Sequence, residues 1–167
     1  DGTYFKPTGT GLSNPVENMK QKESYQDGNY FRGSVKATVN IKAVEGLKVS
    51  GFAAIEEGDN RSYWANKQIS TDEGGSGMAG RSNSMNFNQL YEATVDYAGQ
   101  WGSHSLVGVA GFSYQKFMYD GSDMSNKGFP TESMKYYQMG NGDATKQYLN
   151  VSSYRNSNAL AAAFIRL

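Results

Sequence analysis

The residues able to do chemistry in this sequence are few and scattered. Gly75-Ser76-Gly77-Met78-Ala79-Gly80 spells G-x-G-x-x-G, a spacing that lets backbone N–H groups approach a dinucleotide when it joins a strand to a helix. Polar residues surround it and no helical period follows Gly80, so the pattern fits a flexible loop better. His104 is the one histidine and there is no cysteine, which excludes a thiolate zinc site, a Cys–His nucleophile and a disulfide scaffold. Asp59, Asp72, Glu73, Asp120, Asp123 and Asp143 carry the oxygens that calcium takes, yet no run has the D-x-[DN]-x-[DN]-G spacing, and a solvated surface explains them. Glu92 and Asp96 share one side of a predicted strand, where spacing alone does not make a glycosidase pair. No enzyme is expected, and no cofactor or metal. Aromatic side chains are the better candidates: Tyr63 and Trp64 stand in one long polar segment, Tyr136 and Tyr137 in another. Such rings could stack on a ligand or dock a partner at low entropic cost, or simply pack their own loops. Pro130 to Met139 fits a short helix displaying Tyr136 and Tyr137, with Pro130 in its first turn and Gly140 at its stop.

The elements that must position these residues are strands. Phe31, Gly33, Val35, Ala37, Val39, Ile41 and Ala43 alternate with Arg32, Ser34, Lys36, Thr38, Asn40 and Lys42, a two-faced strand over 31–43. A second strand, 47–56, follows through Val44, Glu45 and Gly46, with Gly46 available for positive φ. A second hairpin joins 87–97 to 105–117, and a fifth strand covers 159–167. On the fourth, Leu106, Gly108, Ala110, Phe112 and Tyr114 form the expected outward set, with Val107 and Val109 opposing them. The intervening segments 1–28, 57–86 and 118–157 are long and rich in Gly, Ser, Asn and Asp, and loops of that length are usually functional. Short turns alternating with long loops are the habit of outer-membrane barrels.

Of the 167 residues, 16 are basic and 16 acidic, so the field a nucleic-acid binder needs is missing. No apolar run approaches the roughly 20 residues of a membrane helix, a test that strands escape because they alternate. Lys or Arg facing lipid at mid-bilayer costs about 2–4 kcal/mol. Arg32, Lys36 and Lys42 must therefore face a wet lumen if the Phe31 to Ala43 face meets lipid. A soluble sheet with one buried face makes the same pattern. Phe31, Tyr97, Trp101 and Tyr119 fall near strand ends, as girdle residues would.

Several short pieces then succeed one another in a recognisable order. They are Asn14-Pro15-Val16; Glu45-Gly46-Leu47-Lys48-Val49-Ser50-Gly51; Leu90-Tyr91-Glu92-Ala93-Thr94-Val95-Asp96-Tyr97; His104-Ser105-Leu106; Ala110-Gly111-Phe112-Ser113-Tyr114-Gln115; Phe129-Pro130-Thr131-Glu132; and Phe164-Ile165-Arg166-Leu167. In this succession the chain resembles an internal segment of the SusC/RagA-type TonB-dependent transporters, outer-membrane nutrient importers of Bacteroidetes. The resemblance implies an all-β fold: antiparallel strands forming part of a 22-stranded transmembrane β-barrel with long extracellular loops, here 1–28, 57–86 and 118–157. It also implies a plug, a SusD-like surface lipoprotein over the mouth, outer-membrane lipid around the wall, and glycan or peptide uptake driven by the TonB complex. No plug, TonB-contacting segment or closing strand is found in these residues, so the expected partners include the rest of the barrel and the plug. A diffusion porin and a secreted β-sandwich carbohydrate-binding module are the competing readings.

Overall fold

The computed structural model describes residues 14–67, 77–143 and 147–167. Five strands follow one short helix: α1 (Pro15–Gln21), β1 (Lys22–Asn40), β2 (Leu47–Asn66), β3 (Met78–Trp101), β4 (His104–Lys127) and β5 (Asn150–Arg166). They pair in the order β1-β2-β3-β4-β5, each with its sequence neighbour, in one antiparallel sheet. This plain meander has no second sheet among the described residues, where a β-sandwich needs one packed face to face. The described residues divide into two units, one of 29–59, 85–120 and 155–167, the other of 14–28, 60–67, 77–84, 121–143 and 147–154.

In the first unit, register is fixed by turns and polar contacts. Ile41 N donates to Leu47 O at 2.9 Å and Val44 N to Ile41 O at 3.1 Å, closing the β1–β2 hairpin. Gly46 holds φ at 84°, and a Cβ there would stand 1.8 Å from Ala98 O. Ala98 N in turn donates to Gly46 O at 3.0 Å. Glycine is thus required twice over, for its backbone angle and for the approach of β3. Ile41, expected inside the first strand, belongs to this turn. The β3–β4 link needs only Gly102 and Ser103, with Gly102 at φ 59°.

The two faces of this unit differ chemically, as the alternation predicts. Thr38 Oγ1 and Ser50 Oγ meet at 3.0 Å. Lys36, Ser50, Phe52, Glu92 and Thr94 surround one hollow on that side. Lys48, Asp96, Val107, Val109 and Arg166 share another, so those two valines sit among charges. The opposite parity holds Phe31, Val35, Val39, Val49, Tyr91, Val95, Leu106 and Phe112, all exposed. Val35 is 65% and Val39 57% accessible, and the four buried hydrophobic residues described all belong to the other unit. Nothing in this unit covers its apolar face. In water each such side chain forgoes about 1.5–3 kcal/mol of burial, whereas in hydrocarbon it does not.

The strands run further than the predicted loop boundaries allow. Residues 22–30, 57–66, 78–86, 118–127 and 150–157, read from sequence as loop or linker, lie within β1 to β5. Both faces are polar in many of these stretches, so alternation carried no signal. The strands persist through their ladders and through pairs such as Gln26 Nε2 to Asn60 Oδ1 at 2.8 Å and Ser122 Oγ to Asn83 Oδ1 at 2.6 Å. The helix is also displaced. It occupies Pro15–Gln21, where the Asn14 side chain accepts from Val16 N and Glu17 N, Pro15 opens the first turn and Glu17 complements its dipole. Over 130–139, 3-10 turns form at Lys135–Tyr137 and Met139–Asn141. Lys135 at φ 32° is incompatible with a continuous α-helix.

A small core holds residues 128–143 in place. Phe129 and Met139 bury against Ala65 of β2 and Ala79 of β3, with Met124, Met134 and Tyr136 packed around them. Asn126, fully buried, donates from Nδ2 to Met139 O at 2.8 Å and accepts at Oδ1 from Lys127 N at 2.8 Å. Gly128 N reaches Gly77 O at 2.9 Å and Asp143 N reaches Lys127 O at 2.7 Å.

Candidate functional site

The core just described brings Tyr63 within reach of Tyr136 and Tyr137. Tyr63 projects from β2, and its ring centre lies 5.3 Å from that of Tyr136, which lies 4.6 Å from Tyr137. Tyr25 of β1 stacks on Tyr63 at 6.0 Å with the planes 27° apart. Arg81 of β3 places its guanidinium carbon 5.4 Å from the centre of the Tyr63 ring, within cation–π range. Together with Glu23 and Ser24 these side chains line an open cavity of about 560 Å³, a volume typical of small-molecule sites.

Trp64 does not join them. Neighbours in a strand point to opposite faces, and Trp64 lies against Gly80, where a Cβ would come within 2.5 Å of the indole. Of the four predicted residues, Tyr63, Tyr136 and Tyr137 therefore share one site and Trp64 stands apart. Tyr25, Glu23 and Arg81 also line the cavity, and nothing in the sequence marks them. Tyr25 and Glu23 lie in the polar start of β1, and no local pattern there announces a neighbour on β2.

Electrostatics fix the rim. Lys135 Nζ donates to Glu23 Oε1 at 2.7 Å, both partly exposed. Tyr136 has its hydroxyl pKa pushed above the ordinary value, first by its hydrogen bond with Tyr137, then by burial and by the nearby Glu23 carboxylate. The phenol stays neutral and able to donate. Arg81, by contrast, is exposed and has no carboxylate partner among the described residues.

The other sequence candidates are dispersed. Glu92 and Asp96 line separate hollows, so they form no acid pair. Asp120 pairs with Arg155, His104 opens β4, and Asp72, Glu73, Gly75 and Ser76 lie outside the described residues. Met78, Ala79 and Gly80 begin a strand rather than a helix, which removes the dinucleotide reading. Among the described residues no group of three His, Cys, Asp or Glu side chains could hold a metal.

No protein-family model matches the chain. A curated relative, TonB-dependent receptor P3 of Formosa agariphila, is 25% identical over 169 residues, covering 100% of this chain. The chain spans 16% of that relative's length. The RagAB peptide transporter superposes with a TM-score of 0.82 at 14% identity, over 96% of this chain and 18% of its own. The chain has the fold of a SusC/RagA-type barrel segment. The RagAB peptide importer in its open-open state gives 0.81 at 14% identity, over 96% of this chain and 18% of its own. Its closed-closed state gives 0.78 at 14% identity, over 87% and 16%. The likeness to RagAB takes in nearly the whole five-stranded meander.

Proposed function

We propose that the chain forms part of the wall and outer loops of a TonB-dependent outer-membrane importer that takes up glycans or peptides with a SusD-like lipoprotein. The observation that carries this reading is the uncovered apolar face of Val35, Val39, Val95 and Leu106 opposite the face of Lys36, Lys48, Glu92 and Asp96. Such a sheet is unstable in water and suited to a wall between lipid and a wet lumen. The TonB-dependent relative and the RagAB fold support the same reading. Energy coupling belongs to plug and TonB contacts supplied by other parts of the polypeptide, while the Tyr25–Tyr63–Tyr136–Tyr137 site faces ligand or lid.

The test is uptake in cells expressing the full polypeptide. Accumulation of labelled glycan or peptide should stop when the TonB complex is inactivated. Accumulation that continues unchanged would favour a diffusion porin instead.

A further inference from the structure

Resting on the importer reading, we infer that the tyrosine-lined cavity is a subsite for a pyranose ring bearing a carboxylate, with Arg81 reading the acid and Tyr25 and Tyr137 receiving the ring. The two exposed tyrosines, 58% and 71% accessible, offer apolar faces with hydroxyls at their tips. A sugar ring presents the complement, C–H groups on its faces and hydroxyls at its rim. Among the described residues the rim holds one positive charge in excess: Glu23 is matched by Lys135 at 2.7 Å, while Arg81 rests against Tyr63 with no carboxylate partner. A guanidinium held by a ring presents its fork to a carboxylate with little freedom to lose.

Peptide is the weaker occupant of this cavity. Extended peptides are usually gripped through main-chain hydrogen bonds at a sheet edge. Tyr63 rises from β2, paired by β1 and by β3, and Tyr25 from β1, an edge strand of this sheet whose outer side the importer reading gives to the next strand of the barrel, so on that reading both backbones are committed to ladders. The remaining grip comes from side chains, which suits a sugar.

Isothermal titration of the full polypeptide in detergent tests this, using a glucuronic-acid oligosaccharide, its carboxyl-reduced neutral counterpart, and a peptide of similar length. The acidic sugar is expected to bind at least about tenfold more tightly than the reduced one, as a charge-assisted contact requires. Arg81→Gln should erase that preference, Arg81→Lys should restore part of it, and Tyr137→Ala should weaken both sugars. Equal binding of the two sugars, no binding, a preference that survives Arg81→Gln, or tighter binding of the peptide would overturn the assignment. TonB-dependent uptake in cells carrying the same variants separates the two claims. Uptake that persists while the sugar preference fails removes only this subsite, whereas uptake independent of TonB removes the importer reading.

Discussion

Thr38 and Ser50 touch through their hydroxyls at 3.0 Å across β1 and β2, and this contact sets which residues of both strands share a face. With Thr38 and Ser50 on the polar side, Val39 and Val49 must emerge on the other, because a slip of one residue would exchange the faces entirely. Val39→Arg is therefore expected to destabilise the barrel in lipid by about 2–4 kcal/mol. Lys36→Ala, on the polar side, should cost less than about 0.5 kcal/mol. Urea unfolding of the full polypeptide in bilayers, followed by gel mobility, measures both.

Gly46 and Gly102 both hold positive φ, yet they should respond differently to alanine. At Gly102 a Cβ meets open space, whereas at Gly46 it would strike Ala98 O. Gly102→Ala should cost about 1 kcal/mol for its backbone angle alone. Gly46→Ala should cost more, because the strain in φ adds to displacement of β3. Folding yields of the two variants under one refolding protocol give the comparison.

Asn126 anchors the segment that carries Tyr136 and Tyr137. Its replacement by Leu leaves Met139 O without its donor in a buried setting, at a cost of about 1–3 kcal/mol. Hydrogen exchange should show faster exchange in residues 128–143, while β1 and β2 near Thr38 and Ser50 keep their protection.

Tyr136 supplies a spectroscopic handle. Its hydroxyl ionises above the ordinary tyrosine value near 10, so below pH 10 the folded and unfolded forms are both protonated and stability is unaffected. As pH rises past 10 the unfolded phenol loses its proton first, and the folded state loses stability until Tyr136 ionises as well. Absorbance at alkaline pH should show a late-titrating phenol that disappears in Tyr136→Phe.

Much of the fold was legible in the residues, and the physical reasons are specific. The alternation from Phe31 to Val39 is strict because one face meets charges and the other does not, and Gly46 marks its turn because only glycine tolerates the angle and the contact with Ala98. The extensions of the strands were hidden because polar residues such as Asp59 to Ser62 occupy both faces, leaving no period to read. The helix at Pro15 had a local signature in Asn14, Pro15 and Glu17, whereas 130–139 bore a helix-like pattern that Lys135 breaks. Tyr63, Tyr136 and Tyr137 stood out as aromatic residues in polar segments. Their union with Tyr25 and Arg81 depends on Phe129 and Met139 packing on Ala65 and Ala79, a long-range contact that no local spacing encodes.

Whether one face of the sheet meets hydrocarbon and the other a solvated lumen is read out by site-specific quenching. The chain has no cysteine, so Val39→Cys and Lys36→Cys can each carry a single fluorescent probe in the full polypeptide, provided it too lacks other cysteines or they are replaced. In vesicles containing doxyl-labelled lipid, the probe at 39 should be quenched by the lipid and the probe at 36 by aqueous iodide. A probe at 39 that iodide reaches, or that neither quencher reaches, would show that Val39 does not face lipid.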